Sequence, residues 1–293
     1  MDEKTLGTLE YHKILERLAG YAAFSASAEL ARALRPVNKL DEALARQKRT
    51  SEACKLLAIR SETTIGRATD IRPLVDRAGR SAVLLATELL EVKNTLISAR
   101  ELGRMFERLG GQFPLLTAQA APLLPPPGII EAITHAVSDR GEILDSASPK
   151  LASIRAELKV AYERLMSRLE RMINDPKMQP ILQEQIITQR NGRYVIPLRA
   201  DFKGRVRSIV HDQSSSGQTV FVEPLVVVEL NNRWHELQLE ERDEERRIMA
   251  ELSDRVGEHA AELKAAVDAL AELDLALACA KYAEDLHAVE PVL

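Results

Sequence analysis

Aromatic residues are scarce in this chain: five phenylalanines, five tyrosines and one tryptophan, 4% of 293 residues. Leu, Ala, Glu and Arg dominate in their place, and these are strong helix formers. There are only two cysteines, Cys54 and Cys279, far apart and without CxxC spacing. That excludes a disulfide framework and a zinc ribbon, and fits reduced thiols in a cytoplasmic protein. No apolar run approaches the length of a membrane span. The N-terminus, MDEKTLGTLEYHKIL, is charged from its second residue, so no signal peptide is expected. The phosphate-binding pattern G-x-x-x-x-G-K-[ST] is missing, so no ATP site of that kind and no cofactor are expected in this chain. His12, His135, His235, His259 and His287 stand alone on helical segments and read as packing or surface residues, with no metal site.

The net charge is −4, which alone argues against a polyanionic partner. Its distribution argues the other way. Residues 190–222 carry six cations (Arg190, Arg193, Arg199, Lys203, Arg205, Arg207) against Asp201 and Asp212, a net +4 that leaves −8 for the rest. A positive patch on a negative body selects an anionic partner at one place and repels it elsewhere.

Helical periodicity runs from about residue 8 to 109. Pro36 stops one helix, Asp41 is expected to cap the next through Ile59, and 70–78 and 88–109 supply two more. Gly110-Gly111 and the Pro125-Pro126-Pro127 run punctuate the end, before a short helix at 129–137. From Pro149, apolar residues recur at three- and four-residue steps as in a coiled-coil seam. This predicts a helix of about 25 residues, roughly 37 Å long at 1.5 Å per residue. A second helix is expected from 225 towards 286. Its middle, residues 236–247, has six acids, three arginines and little apolar face, which predicts solvation, including the pairs Glu240–Glu241 and Glu244–Glu245.

Between these helices the period changes to 2. Residues 193–199 and 205–212 read as strands joined by a turn at 201–204, with a polar loop at 212–217, a third strand at 218–222 and a fourth at 185–189. Pro197 points to an edge or a bulge. If the two arginine faces coincide, four guanidinium groups are displayed together for phosphate; otherwise they balance the acidic helices. His211, Asp212 and Ser214–Ser216 contain the ingredients of a nucleophilic triad. Neighbouring strand residues face opposite ways, however, which argues against a relay. Trp234 reads as a packing residue. The fold class is mainly α: a helical core bundle and a long antiparallel two-helix lever carrying a small β-rich clamp at its tip. The divisions fall at 1–138 (core), 139–184 (outbound helix), 185–224 (clamp) and 225–293 (return helix).

The wording of several segments is more specific than this pattern. TLEYHKILERLAGYA (8–22), DIRPLVDRA (70–78), RGEILDSASPKLASIR (140–155), RNGRYVIPLRADFKGRVRSIVHDQSSSGQTVFVEP (190–224) and VVELNNRWHELQLEERDEERRI (227–248) resemble the second bacterial MutS-type family, mismatch-repair paralogues without the mismatch-reading domains. The resemblance implies a clamp that grips the nucleic-acid backbone without base preference. Carried onto this sequence, its contacts are Arg190, Arg193, Arg199, Lys203, Arg205, Arg207 and His211. It also implies an ABC-type ATPase using ATP and Mg, and an Smr endonuclease, in segments beyond this core, lever and clamp, so that residues 1–293 alone are not an enzyme. A homodimer acting on branched DNA and suppressing homologous recombination is the implied context. The alternatives are engagement of collided ribosomes through rRNA, and a structural dimerisation scaffold.

Overall fold

A computed structural model describes residues 3–292. The described chain is mainly helical with one small antiparallel sheet. It divides into two compact units: residues up to Leu144 together with Met249 onward, and Asp145–Ile248.

The first unit contains α1 (Glu3–Thr8), α2 (Tyr11–Ala19), α3 (Ser25–Ala33), α4 (Leu40–Ile59), α5 (Arg72–Ala78), α6 (Ala86–Leu109), α7 (Pro114–Ala120) and α8 (Ile129–Ala136). The second begins with α9 (Pro149–Ile173), followed by β1 (Thr188–Arg190), β2 (Arg193–Arg199), β3 (Ser208–Gln213) and β4 (Thr219–Pro224). α10 (Val228–Glu258) contributes its residues to Ile248 to the second unit and the remainder to the first, which α11 (Ala260–Asp285) completes.

In the first unit, α11 is the central helix, packed by α2 through α7. Ala266, Ala269, Ala271, Ala276, Ala278 and Ala280 are buried, while Ala265 and Asp268 keep one side of its first half in solvent. Leu270, Leu273 and Leu277 form one core with Leu56, Phe106, Leu116 and Leu123. Two carboxylates act at a distance in sequence. Glu52 on α4 accepts from the backbone N–H groups of Leu115 and Leu116 at 3.0 Å, satisfying the open donors of α7. Asp274, fully buried on α11, accepts from Ala23 N at 2.6 Å and from the Ser27 hydroxyl, and burial pushes its carboxyl above its ordinary value.

The expected helix over 225–286 is broken in two at His259, whose backbone (φ −102°, ψ 19°) leaves the helical region. Just before the break, Gly257 approaches the carbonyl of Ala78 so closely that an added Cβ would lie 2.7 Å from its oxygen. Gly257→Ala is therefore expected to lose about 1–3 kcal/mol through overpacking, despite a helix-propensity gain of about 1 kcal/mol. Thermal unfolding followed by circular dichroism measures the balance. At the other end of the bundle, Asp41 does not cap α4; the helix starts one residue earlier, and Asp41 lies in its first turn, where a negative charge favours the helix dipole.

In the second unit, α9 has the expected 25 residues and starts at Pro149, with Ser148 as N-cap accepting from Leu151 N at 2.9 Å. α10 runs antiparallel to it: Ser148 meets Glu244, Arg155 meets Glu241 and Glu245, and Glu157 meets Arg233. These contacts correct the solvated reading of 236–247 at Glu241, Glu244 and Glu245, while most of the stretch is exposed as expected. Glu244 is buried, bonded to the Ser148 hydroxyl at 2.8 Å, Arg247 at 2.6 Å and Lys150 at 3.2 Å. Arg155 gathers Asp145, Glu241 and Glu245. Where the apolar seam runs out, ion pairs join the two helices instead.

The hydrogen bond from Arg247, with Ser148 and Lys150 adding to it, holds the Glu244 carboxyl down to about 2, against the opposing effect of burial. With the folded value below the ordinary 4.5, the stabilisation is complete above that pH and is lost as the pH falls towards 2. Unfolding of the second unit can be followed through Trp234, the sole tryptophan. Its urea midpoint is expected to drop between pH 5 and pH 2.5 by more in the unaltered chain than in Glu244→Gln.

Candidate nucleic-acid interface

The sheet order is β1-β2-β4-β3, all antiparallel. β2 and β3 are therefore not a hairpin across 201–204, and Arg205 and Arg207 precede β3 rather than lying in a strand. The segment between them crosses over while β4 takes the place beside β2, pairing Ile196 with Val222 and Arg199 with Thr219. β1 and β2 are joined by Asn191-Gly192, with φ of +50° and +74°. Those are the left-handed conformations that a two-residue hairpin turn requires. Pro197 is not on an edge. Its carbonyl accepts from Gln183 N at 3.0 Å on one side, and it pairs with Phe221 on the other.

One face of the sheet packs on the helix pair. Ile196, Leu198, Val220 and Val222 share a core with Leu165 and Leu169 of α9 and with Val227 and Trp234. The Tyr194 ring lies edge-on to both Trp234 (4.9 Å) and Tyr162 (5.7 Å), and burial raises its hydroxyl above the ordinary value. Buried Asn231 grips the backbone of Tyr194 with both ends of its amide. Its Oδ1 accepts from Tyr194 N at 3.0 Å, and its Nδ2 donates to Tyr194 O at 3.1 Å.

The seven cationic candidates fall into two groups. Arg190, Arg193 and His211 are bound within the protein. Arg193 Nη1 donates to Asn232 Oδ1 at 2.6 Å and lies 3.4 Å from Glu223. Glu223, with 1% of its surface exposed, also holds His211 Nε2 at 2.6 Å. Arg190 pairs with Asp212 at 3.1 Å and stacks on the Phe221 ring at 4.2 Å. With the bond from Asn191 Nδ2 to His211 O at 3.2 Å, these contacts tie the first strand of the order to the last, curling the sheet nearly closed. His211 reaches Glu223 because it is the extra residue of a β-bulge between Val210 and Asp212. The alternation expected there is therefore broken. His211 and Asp212 serve different partners, so the structure offers no relay to the serines.

Arg199, Lys203, Arg205 and Arg207 form the other group. All four are exposed, and none has a carboxylate partner among the described residues. The 3-10 turn Ala200–Phe202 and the following turn at Gly204 (φ +94°) fold this segment on itself, with Lys203 N bonded to Ala200 O and Arg205 N to Phe202 O, both at 3.0 Å. The Arg205 guanidinium lies 5.2 Å from the Phe202 ring centre. Ala200 N to Gln218 O at 2.9 Å and Leu225 N to Arg207 O at 3.0 Å pin the two ends to the sheet and to the start of α10. Four cations without a carboxylate partner, against the single acid Asp201, make these nine residues of anchored backbone a locally positive surface.

Sequence reasoning missed Asn231, Asn232 and Glu223. Their signals were a paired Asn-Asn inside a helical stripe and an acid in an otherwise apolar strand; Asn231 and Glu223 are buried and Asn232 is half-buried. Among the described residues, no three His, Cys, Asp or Glu side chains gather where they could hold a metal ion. Among the described residues, no helix is long and apolar enough to cross a membrane.

No family model matches the chain. Individual relatives do, over its whole length. It is 41% identical across 293 residues to a protein named Endonuclease MutS2 from Pelotomaculum thermopropionicum. It is 43% identical to one of the same name from Thermomicrobium roseum and 40% identical to one from Geobacillus thermodenitrificans. All of this chain is covered in each case, while it spans only 37–38% of the length of these relatives. Matched in this way along every part of its fold, the mainly helical chain with its small basic sheet is similar over its whole length to one stretch of the proteins named Endonuclease MutS2.

Proposed function

We propose that this chain is the nucleic-acid-gripping part of a longer MutS-type enzyme, with the second unit as clamp and the α9–α10 pair as its lever. The observation that carries this is the anchored turn bearing Arg199, Lys203, Arg205 and Arg207, four cations left unpaired on a chain that is negative overall. Guanidinium and ammonium groups on a rigid turn contact phosphate oxygens without reading bases, so binding is independent of sequence and strongly dependent on salt. The curled sheet supplies the rigidity. Glu223, Arg193 and His211 hold its edges, and Asn231 fastens its second strand to α10. The name Endonuclease borne by the relatives favours a nucleic-acid substrate for the whole protein.

In this reading, hydrolysis of nucleic acid and any use of ATP and Mg belong to the part of the longer relatives that the chain does not span. The residues described here contain neither a phosphate-binding loop nor a metal-binding cluster, and no step through ATP or Mg is assigned to them. The physiological substrate in this reading is branched DNA, held by a dimer, with suppression of homologous recombination as the outcome. Competition in the dimeric full-length protein tests that choice. A labelled four-way DNA junction should be displaced by unlabelled junction at lower concentration than by stalled ribosomes. Preferential displacement by ribosomes would move the substrate to rRNA.

A further inference from the structure

α9 carries a second group of unneutralised cations. Arg164, Arg168 and Arg171 recur at steps of four and three residues, which places them on one face of the helix. They span about 10 Å at 1.5 Å per residue. All three are exposed, and none has a carboxylate partner among the described residues; Arg171 donates only to the Ser167 hydroxyl, at 3.2 Å. They line a shallow groove with Ser167 and Leu230, and Glu163 is the one acid in its wall. The other end of α9 is different. There Arg155 holds three carboxylates, and Lys150 is bound to Glu244. Charge along the helix is thus neutralised at one end and left open at the other.

The open end adjoins the basic turn. Arg207 O holds Leu225 N at 3.0 Å, and the 3-10 turn Leu225–Val227 packs against α9. A single turn therefore separates the last cation of the β-module from the arginine-bearing half of the helix. An acidic protein segment would also match the stripe in charge. The continuity with the Arg199–Arg207 cations instead favours one extended polyanion crossing both.

We propose that Arg164, Arg168 and Arg171 form a second phosphate-backbone contact, by which nucleic acid held at the β-module continues along α9. This rests on the nucleic-acid reading above and extends it to a surface that reading does not need. Each phosphate neutralised on duplex DNA adds about 0.9 to the magnitude of the slope of log K against log salt. The test is a salt titration of the chain on a fluorescent DNA duplex. Replacing the three arginines with alanine should reduce the slope by about 2.7, while Arg→Lys at all three positions should retain it. Helix content and the Trp234 unfolding midpoint should stay unchanged in both, because the positions are exposed and alanine is a good helix former. An unchanged slope in the alanine triple, with a reduced slope in the Arg199, Lys203, Arg205, Arg207 quadruple, would overturn this proposal and leave the β-module reading standing. Unchanged slopes in both variants would overturn both. An unchanged slope combined with lost self-association in sedimentation would also overturn it, assigning the stripe to a protein contact.

Discussion

Alanine at Arg199, Lys203, Arg205 and Arg207 together is expected to reduce the salt slope for duplex DNA by about 3.6, four contacts at 0.9 each. Between 50 and 200 mM salt, a slope component of that size is worth about two orders of magnitude in affinity. The contrasting variants lie in the same sheet. Arg193→Ala and His211→Ala each remove a partner from buried Glu223, and Arg190→Ala removes the pair with Asp212. These are expected to lower the urea midpoint reported by Trp234, while leaving the slope within about 0.9 of the unaltered value. Fluorescence anisotropy over a salt series, run on the two sets side by side, separates them. Had all seven candidates been equivalent contacts, the two sets would lower the slope in proportion to their charges. The geometry predicts that one set changes binding and the other changes stability.

The second large effect is at Asn231. Its amide satisfies both the N–H and the C=O of Tyr194, and it is fully buried among apolar neighbours that include Trp234. Asn231→Ala leaves a buried donor and a buried acceptor open at once. At about 1–3 kcal/mol for each unsatisfied group, the variant should lose about 2–6 kcal/mol in the second unit. Asn232→Ala should cost less, because Arg193 keeps Glu223 and remains partly in contact with solvent. Urea unfolding monitored by Trp234 gives both values. Equal losses from the two substitutions would show that Asn231 is not the fastening.

Much of this architecture was legible because it follows from local periodicity. The 25 residues of α9 and its start at Pro149 depend on an apolar stripe and a proline suited to the first turn. The strand segments are marked by a change of period from about 3.6 to 2. Strand order was not legible, because alternation says which side chains share a face of one strand and nothing about which strand lies next to it. The expected β2–β3 hairpin failed for that reason. The real hairpin was signalled locally by Asn191-Gly192. Within the largely exposed stretch 236–247, the contacts of Glu241, Glu244 and Glu245 were not legible, because an ionic seam has no apolar signature. Glu244 is buried by partners 96 and 3 residues away, Ser148 and Arg247, and only the nearer one is visible in a helical window. His211 was expected among the contacts. A bulge, which shifts register by one residue, turned it onto Glu223. The break at His259 followed no proline, so the helix on either side of it read as continuous.

The candidate site was legible as a concentration of charge but not as a set of contacts. Composition counts Arg190, Arg193 and Arg205 alike. Their roles separate only when Asp212, Phe221, Glu223 and Asn232 are brought beside two of them by sheet closure. The arginines of α9 carried no expectation from the sequence, because the turn that brings the β-module up to them lies more than fifty residues further along the chain.

If this chain itself holds nucleic-acid phosphate through the unpaired cations of its second unit, the affinity of the unaltered 293-residue chain for a fluorescent DNA duplex, measured from 50 to 300 mM salt, reports it. The expected result is a linear fall of log K with log salt, with a slope of magnitude at least about 3.6, insensitive to base sequence. Absence of binding at 50 mM salt, or a slope near zero, would contradict it.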